Sequence, residues 1–184
     1  MKVIRNYLYN VGYQVLAIIV PLITSAYVSR VLRPEGVGAN AFTNSIIQYF
    51  ILFASMGIGY YGNRQIAYVR DDRAKMAKTF WEIQIIKTIM TLVSIIVFEI
   101  FLIFYTRQFN YMLAQSINLI AVAFDISWFY EGIENFKVIV LKNSLVKIVS
   151  MIAIFLFIKG PYDVTLYIVV LALSTLLGNL TLWP

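Results

Sequence analysis

The sequence contains no cysteine and no histidine. Thiol nucleophiles, disulfides, imidazole acid–base chemistry and the usual transition-metal ligands are therefore excluded, and nothing marks a redox compartment. Charge is scarce as well: 13% of the 184 residues are Asp, Glu, Lys or Arg, against about a quarter in a soluble globular domain. Because 61% are hydrophobic, lipid rather than water is the main solvent. A hydrocarbon core of about 30 Å takes about 20 apolar residues at 1.5 Å per helical residue, so the chain crosses at most about six or seven times. The predicted fold class is all-α, a polytopic membrane bundle.

Six apolar segments are present: 10–31, 39–61, 80–105, 112–130, 138–158 and 164–183. Together they predict one six-transmembrane-helix bundle over 1–184. Lys142 and Lys147 interrupt the fifth segment, which is expected to begin in the interface with both lysines snorkelling outward. The net charge of +6 does not indicate nucleic acid, because the basic residues lie between apolar runs instead of forming a groove-tracking cluster. They fall on alternate connections. One side carries Lys2, Arg5, Arg64, Arg70, Arg73, Lys75, Lys78, Lys137, Lys142 and Lys147; the other carries Arg30, Arg33, Arg107 and Lys159. The positive-inside rule then predicts both termini in the cytoplasm, with headgroup contacts at the basic loops. The first apolar run continues well past Ala26, so it reads as a permanent helix rather than a cleaved signal peptide. Asn179, Leu180 and Thr181 match a glycosylation sequon, but at the predicted cytoplasmic end of a span.

Gly57, Gly59 and Gly62 spell G-x-G-x-x-G, with Glu82 about 20 residues on. A dinucleotide site needs a preceding strand, whereas these glycines end a helix-length apolar run, where small residues let helices approach closely. Polar residues inside spans say more, since lipid disfavours them. Asn10, Gln14, Pro21 and Ser25 share one stripe of the first span; Asn40, Asn44 and Gln48 share one in the second; Gln115, Asn118, Asp125 and Trp128 share one in the fourth. These seams are expected to turn toward a common hydrated space, the alternative being interhelical hydrogen bonds that hold a dry bundle together. Pro21 removes a backbone hydrogen bond in mid-span and marks a candidate hinge. Lys87 is expected to snorkel toward the cytoplasmic interface, and Glu99 to need a partner or water.

Three stretches then resemble polysaccharide flippases of the multidrug, oligosaccharidyl-lipid and polysaccharide exporter superfamily. They are R-V-L-R-P-E-G-V-G from Arg30, similar to the first outer loop; N-R-Q-I-A-Y-V-R-D-D from Asn63, similar to the first cytoplasmic loop; and D-I-S-W-F-Y-E-G-I-E-N-F-K from Asp125. Lys142, Asn143 and the closing G-N-L-T-L-W-P continue the match, which covers essentially the whole chain in order. Arg33 departs from it, standing where the loop normally has glycine. The resemblance implies transport of an undecaprenyl-pyrophosphate-linked oligosaccharide to the outer leaflet of a bacterial plasma membrane, for capsule, exopolysaccharide or O-antigen. It implies no enzyme chemistry, no cofactor, and motion coupled to a proton or sodium gradient.

The candidate cavity, substrate or ion-coupling residues are Asn44, Gln48, Asp125, Trp128, Glu131, Arg64, Lys142 and Lys147. Relatives carry about twelve to fourteen helices, so this chain corresponds to an amino-terminal lobe. A second six-helix lobe or a homodimer partner is expected. An inactive truncated remnant, or a drug or cation antiporter of the same superfamily, are the competing readings.

Overall fold

The computed structural model describes residues 2–105 and 107–183, with side chains at 14, 15, 18–105 and 107–183. The described chain is a helical bundle. Its elements are α1 (Lys2–Val31), α2 (Arg33–Ser55), α3 (Ile58–Val69), α4 (Arg73–Phe104), α5 (Phe109–Ala123), α6 (Ser127–Gly132), α7 (Phe136–Phe157) and α8 (Val164–Leu180). Among the described residues, four stretches are long and apolar enough to cross a membrane: Arg33–Val69, Arg73–Phe104, Phe109–Gly132 and Phe136–Phe157. Ile18–Val31 and Val164–Leu180 are shorter apolar helices.

α4 shows why lipid is the solvent. Its buried residues are Ile83, Gln84, Lys87, Thr91, Ser94, Phe98 and Leu102, four of the seven polar, while Ile85, Ile89, Leu92, Ile96, Ile100 and Ile103 are exposed. The steps of three and four place each set on its own face of a 3.6-residue helix. A helix with its polar stripe inside and its aliphatic stripe outside has no stable arrangement in water. The helix starts where Asp72 caps it, its carboxylate accepting from the Ala74 and Lys75 amides at 3.0 and 3.1 Å.

Three expected boundaries move. The stretch from Arg33 to Gly38 is not a loop: α1 and α2 meet at Leu32 alone, and Pro34 occupies the first turn of α2, where a missing N–H costs nothing. Arg33 takes φ 60° at this corner. The second apolar segment breaks before 61, because Gly57 at φ 74° ends α2 and lets α3 set off in a new direction. The fourth segment is also discontinuous, with α5 ending at Ala123 and the short α6 starting at Ser127. α1, by contrast, runs through Pro21 without losing its helical assignment.

α5 packs on α8, α2 and α4, which makes it the central element of the bundle. One apolar cluster gathers Val28, Ile154 and Ile168 of α1, α7 and α8 with Leu32 and Ile158 at the helix ends; another gathers Ile47, Ala54, Phe98, Leu102, Met112 and Leu119 from α2, α4 and α5. At the basic end, α3 lies against α6. Gly62 makes this possible, since a Cβ there would stand 2.5 Å from the Trp128 ring. That is the close helix approach expected of small residues, and α3 opens on no strand.

Candidate functional site

Among the described residues, two polar sites interrupt the apolar interior. The first is a cavity of about 290 Å³ among α2, α5, α7 and α8, lined by Asn40, Asn44, Gln115, Asn118, Ser150 and Thr175 with a few aliphatic neighbours. Its polar lining residues are all uncharged. Asn118 donates to Gln115 Oε1 at 2.8 Å, and the Gln115 amide faces Asn40 Oδ1 and Thr43 Oγ1 at 3.4 and 3.3 Å. The amides of α2 and α5 therefore order one another while leaving donors and acceptors at the cavity wall. Gln48 lies one turn beyond Asn44, its amide 3.4 Å from Asn44 Oδ1, and is exposed.

The second site is the break between α5 and α6. Ending a helix inside the bundle frees carbonyls that lipid cannot satisfy. Side chains from other elements take them up: Asn179 donates to Ala121 O at 2.7 Å, Gln84 to Ala123 O at 2.8 Å, Trp183 Nε1 to Phe124 O at 2.8 Å, and Lys87 Nζ to Asp125 O. The Asp125 carboxylate turns back onto its own chain, accepting from the Ser127 hydroxyl at 2.6 Å and the Ser127 amide at 3.1 Å. Lys142 reaches the same place from α7. Its ammonium lies 3.1 Å from Asn179 Oδ1, 3.3 Å from Ser127 Oγ and 4.0 Å from Asp125 Oδ1. Two lysines thus face one carboxylate whose side chain keeps 40% of its surface exposed.

These placements revise the sequence reading. Lys87 does not snorkel; it is 4% exposed and closes the break. Lys142 also points inward, its side chain 10% exposed, because Asn179 Oδ1, Ser127 Oγ and the Asp125 carboxylate offer an ammonium more than the interface does. Asp125 belongs to this ionic cluster and not to the amide cavity, since the chain turns away from α5 just before it. The first-span seam does not reach the cavity either: Gln14, Pro21 and Ser25 are exposed on α1, and the Asn10 side chain lies outside the described residues. Trp128 is buried against Gly62 and stacks on Phe80 at 5.5 Å. Glu131 accepts from Asn63 Nδ2 at 3.4 Å and so joins α6 to α3, whereas Arg64 is exposed and donates to the Tyr68 hydroxyl at 3.3 Å within α3 itself. Lys147 sits half-buried on α7, five residues beyond Lys142, and Glu99 is exposed.

Gln84, Thr91 and Ser94 escaped the sequence reading, although their spacing with Lys87 was a fourth seam in plain view. Outside the spans, the Lys75 amide, then its ammonium, holds the Asp72 carboxyl below its usual value. The Lys159 and Gly160 amides, each 2.8 Å from Oδ2, do the same for Asp163. Hydrogen bonding to Glu134, at 2.6 Å, raises Arg70 above its usual value.

A bundle with an inverted polarity, a charge-free polar cavity and a discontinuous span is the build of a polytopic membrane protein. The chain belongs to the polysaccharide biosynthesis protein family, whose family model matches residues 3–183. It is similar to a protein of Escherichia coli strain K12 named "Putative O-antigen transporter", 24% identical over 169 residues, which are 88% of this chain and 40% of that protein. A protein of the same name from Shigella dysenteriae is 23% identical over 147 residues, 78% of this chain and 37% of that one. The chain thus spans about two fifths of the length of these curated relatives. No solved structure matches it.

Proposed function

We propose that the chain is one lobe of a flippase carrying a lipid-linked oligosaccharide from the inner to the outer leaflet of a bacterial plasma membrane, for O-antigen, capsule or exopolysaccharide assembly. The amide-lined cavity carries this reading. Asn and Gln offer donors and acceptors together and no net charge, which suits a hydroxyl-rich cargo better than a cationic drug. A drug or cation antiporter would be expected to place a carboxylate in that wall, and Asp125 lies elsewhere.

Other features support the remaining parts. The excess of Lys and Arg around α3, the α3–α4 connection and the start of α7 favours a cytoplasmic basic end, with both termini on that side. Gln14, Ser25, Asn44 and Gln48 are exposed on α1 and α2; lipid disfavours such groups, so a second six-helix lobe or a homodimer partner across a hydrated cleft would accommodate them. Coupling to a proton or sodium gradient belongs to the same reading, with Asp125, partly exposed beside Lys142, as its candidate carboxylate. No bond is made or broken in this cycle, and no cofactor takes part.

The test is genetic and chemical. In the bacterium that encodes the chain, its deletion should abolish surface polysaccharide and accumulate the lipid-linked precursor on the inner leaflet. Paired Gln115→Leu and Asn118→Leu substitutions should do the same with membrane insertion intact. Unchanged surface polysaccharide in the deletion strain would refute the reading.

A further inference from the structure

Between α3 and the first turns of α4, at the basic end of the bundle, lies an open cavity of about 530 Å³ whose wall includes Tyr61, Gln65, Thr79, Glu82, Ile85 and Ile86. We propose that it seats a phospholipid with a primary-ammonium headgroup, of the phosphatidylethanolamine type. The proposal is independent of the flippase reading and needs only that the chain spans a bilayer.

The wall is polar at one end and aliphatic at the other. Gln65 and Thr79 are half-buried and open to the cavity, and their side chains make no hydrogen bond among the described residues. Both supply donors, which a phosphodiester with acceptors alone can use. Glu82 stands on the exposed face of α4 that carries Ile85, Ile86 and Ile89. A carboxylate at the edge of hydrocarbon needs a cation, and the one ion-pair partner it has among the described residues, Lys78, lies 3.8 Å away with both side chains mostly exposed. That is well beyond the roughly 2.7–2.9 Å of a charge-assisted hydrogen bond. So loose a pair leaves both charges open to a zwitterion: its ammonium on Glu82, its phosphate on Lys78, Gln65 and Thr79. A purely anionic headgroup would meet Glu82 unfavourably, and a choline has no N–H to donate to it.

Beyond Glu82 the stripe continues through Ile86, Ile89, Val93 and Ile96, all exposed. At 1.5 Å per residue it runs about 21 Å, enough to line an acyl chain through the roughly 15 Å of one leaflet. Tyr61 and Trp81, each more than half exposed, stand at the level of Glu82, as aromatic side chains do at headgroup depth. The exposed amides Gln14, Asn44 and Gln48 lie on α1 and α2 instead, which favours lipid over a second lobe on this face of α4.

Native mass spectrometry of the purified full chain tests the proposal, with phosphatidylethanolamine, phosphatidylcholine and phosphatidylglycerol of identical acyl chains titrated in detergent. Phosphatidylethanolamine should bind about tenfold more tightly than either of the others. Glu82→Gln should erase that preference, and Gln65→Ala should weaken phosphatidylethanolamine by about fivefold. Glu82 is exposed, so its replacement leaves the packing undisturbed; the lipid ranking of the unaltered chain decides the matter even if a variant fails to fold. Equal binding of phosphatidylethanolamine and phosphatidylcholine, a preference for phosphatidylglycerol, or an unchanged ranking in Glu82→Gln would overturn the proposal. So would a dimer that Glu82→Gln dissociates, which would assign the face to a second copy of the chain.

Discussion

Arg33 takes φ 60°, a conformation that costs an L side chain about 1–2 kcal/mol and glycine almost none. Arg33→Gly should therefore stabilise the chain by about 1 kcal/mol in thermal unfolding in detergent. Unchanged or lower stability would show that the guanidinium contributes more than the corner costs. Sequence comparison marked this position as unusual, but only the dihedral explains what the departure entails. Lys87 shows the converse. A lysine within an apolar run has two outlets, the interface or a buried acceptor, and the run itself does not distinguish them. The deciding acceptor, the Asp125 carbonyl, lies 38 residues away.

At the scale of elements, the interrupted α5–α6 span is the feature with most at stake. Its freed carbonyls are satisfied from α4, α8 and the segment after it, so the break is a joint between elements and not a local irregularity. Asn179 holds the joint twice, donating to Ala121 O and accepting from Lys142. Asn179→Leu should cost about 2 kcal/mol, since it leaves a buried carbonyl and an ammonium short of a partner. Ser94→Ala, which removes an interhelical bond to Phe50 O, should cost about 0.6 kcal/mol. Equal losses would mean that the break needs no support from α8. The hydrophobic pattern made the fourth span legible, but it could not reveal the break: Phe124, Asp125 and Ile126 contain neither glycine nor proline, and tertiary contacts overrule local propensity there. The second span differs, because Gly57 marked its break openly.

For the whole molecule, acid is the condition that tests the carboxylates holding the start of α4 and the α7–α8 loop. Asp163 and Asp72 have carboxyls held below their ordinary 3.8 by backbone amides. The sign follows directly: their contribution is complete above the unfolded value, and falls away as pH drops below it through the folded value. Thermal stability should thus decline below about pH 4, and Asp163→Asn should flatten part of that decline; an identical acid profile in the variant would refute the assignment. Composition and apolar spacing alone determined a polytopic helical bundle, because a bilayer imposes one length and one backbone solution on any chain that crosses it. The amide seams of α2 and α5 were legible for the same reason, as period and polarity are local properties. Which seams meet was decided only by the tertiary structure. Helix rotation and the turn after Ala123 depend on contacts between segments far apart in the chain, and these sent Asp125 to the lysines, left the α1 stripe outside, and brought Gln65 and Glu82 into one wall.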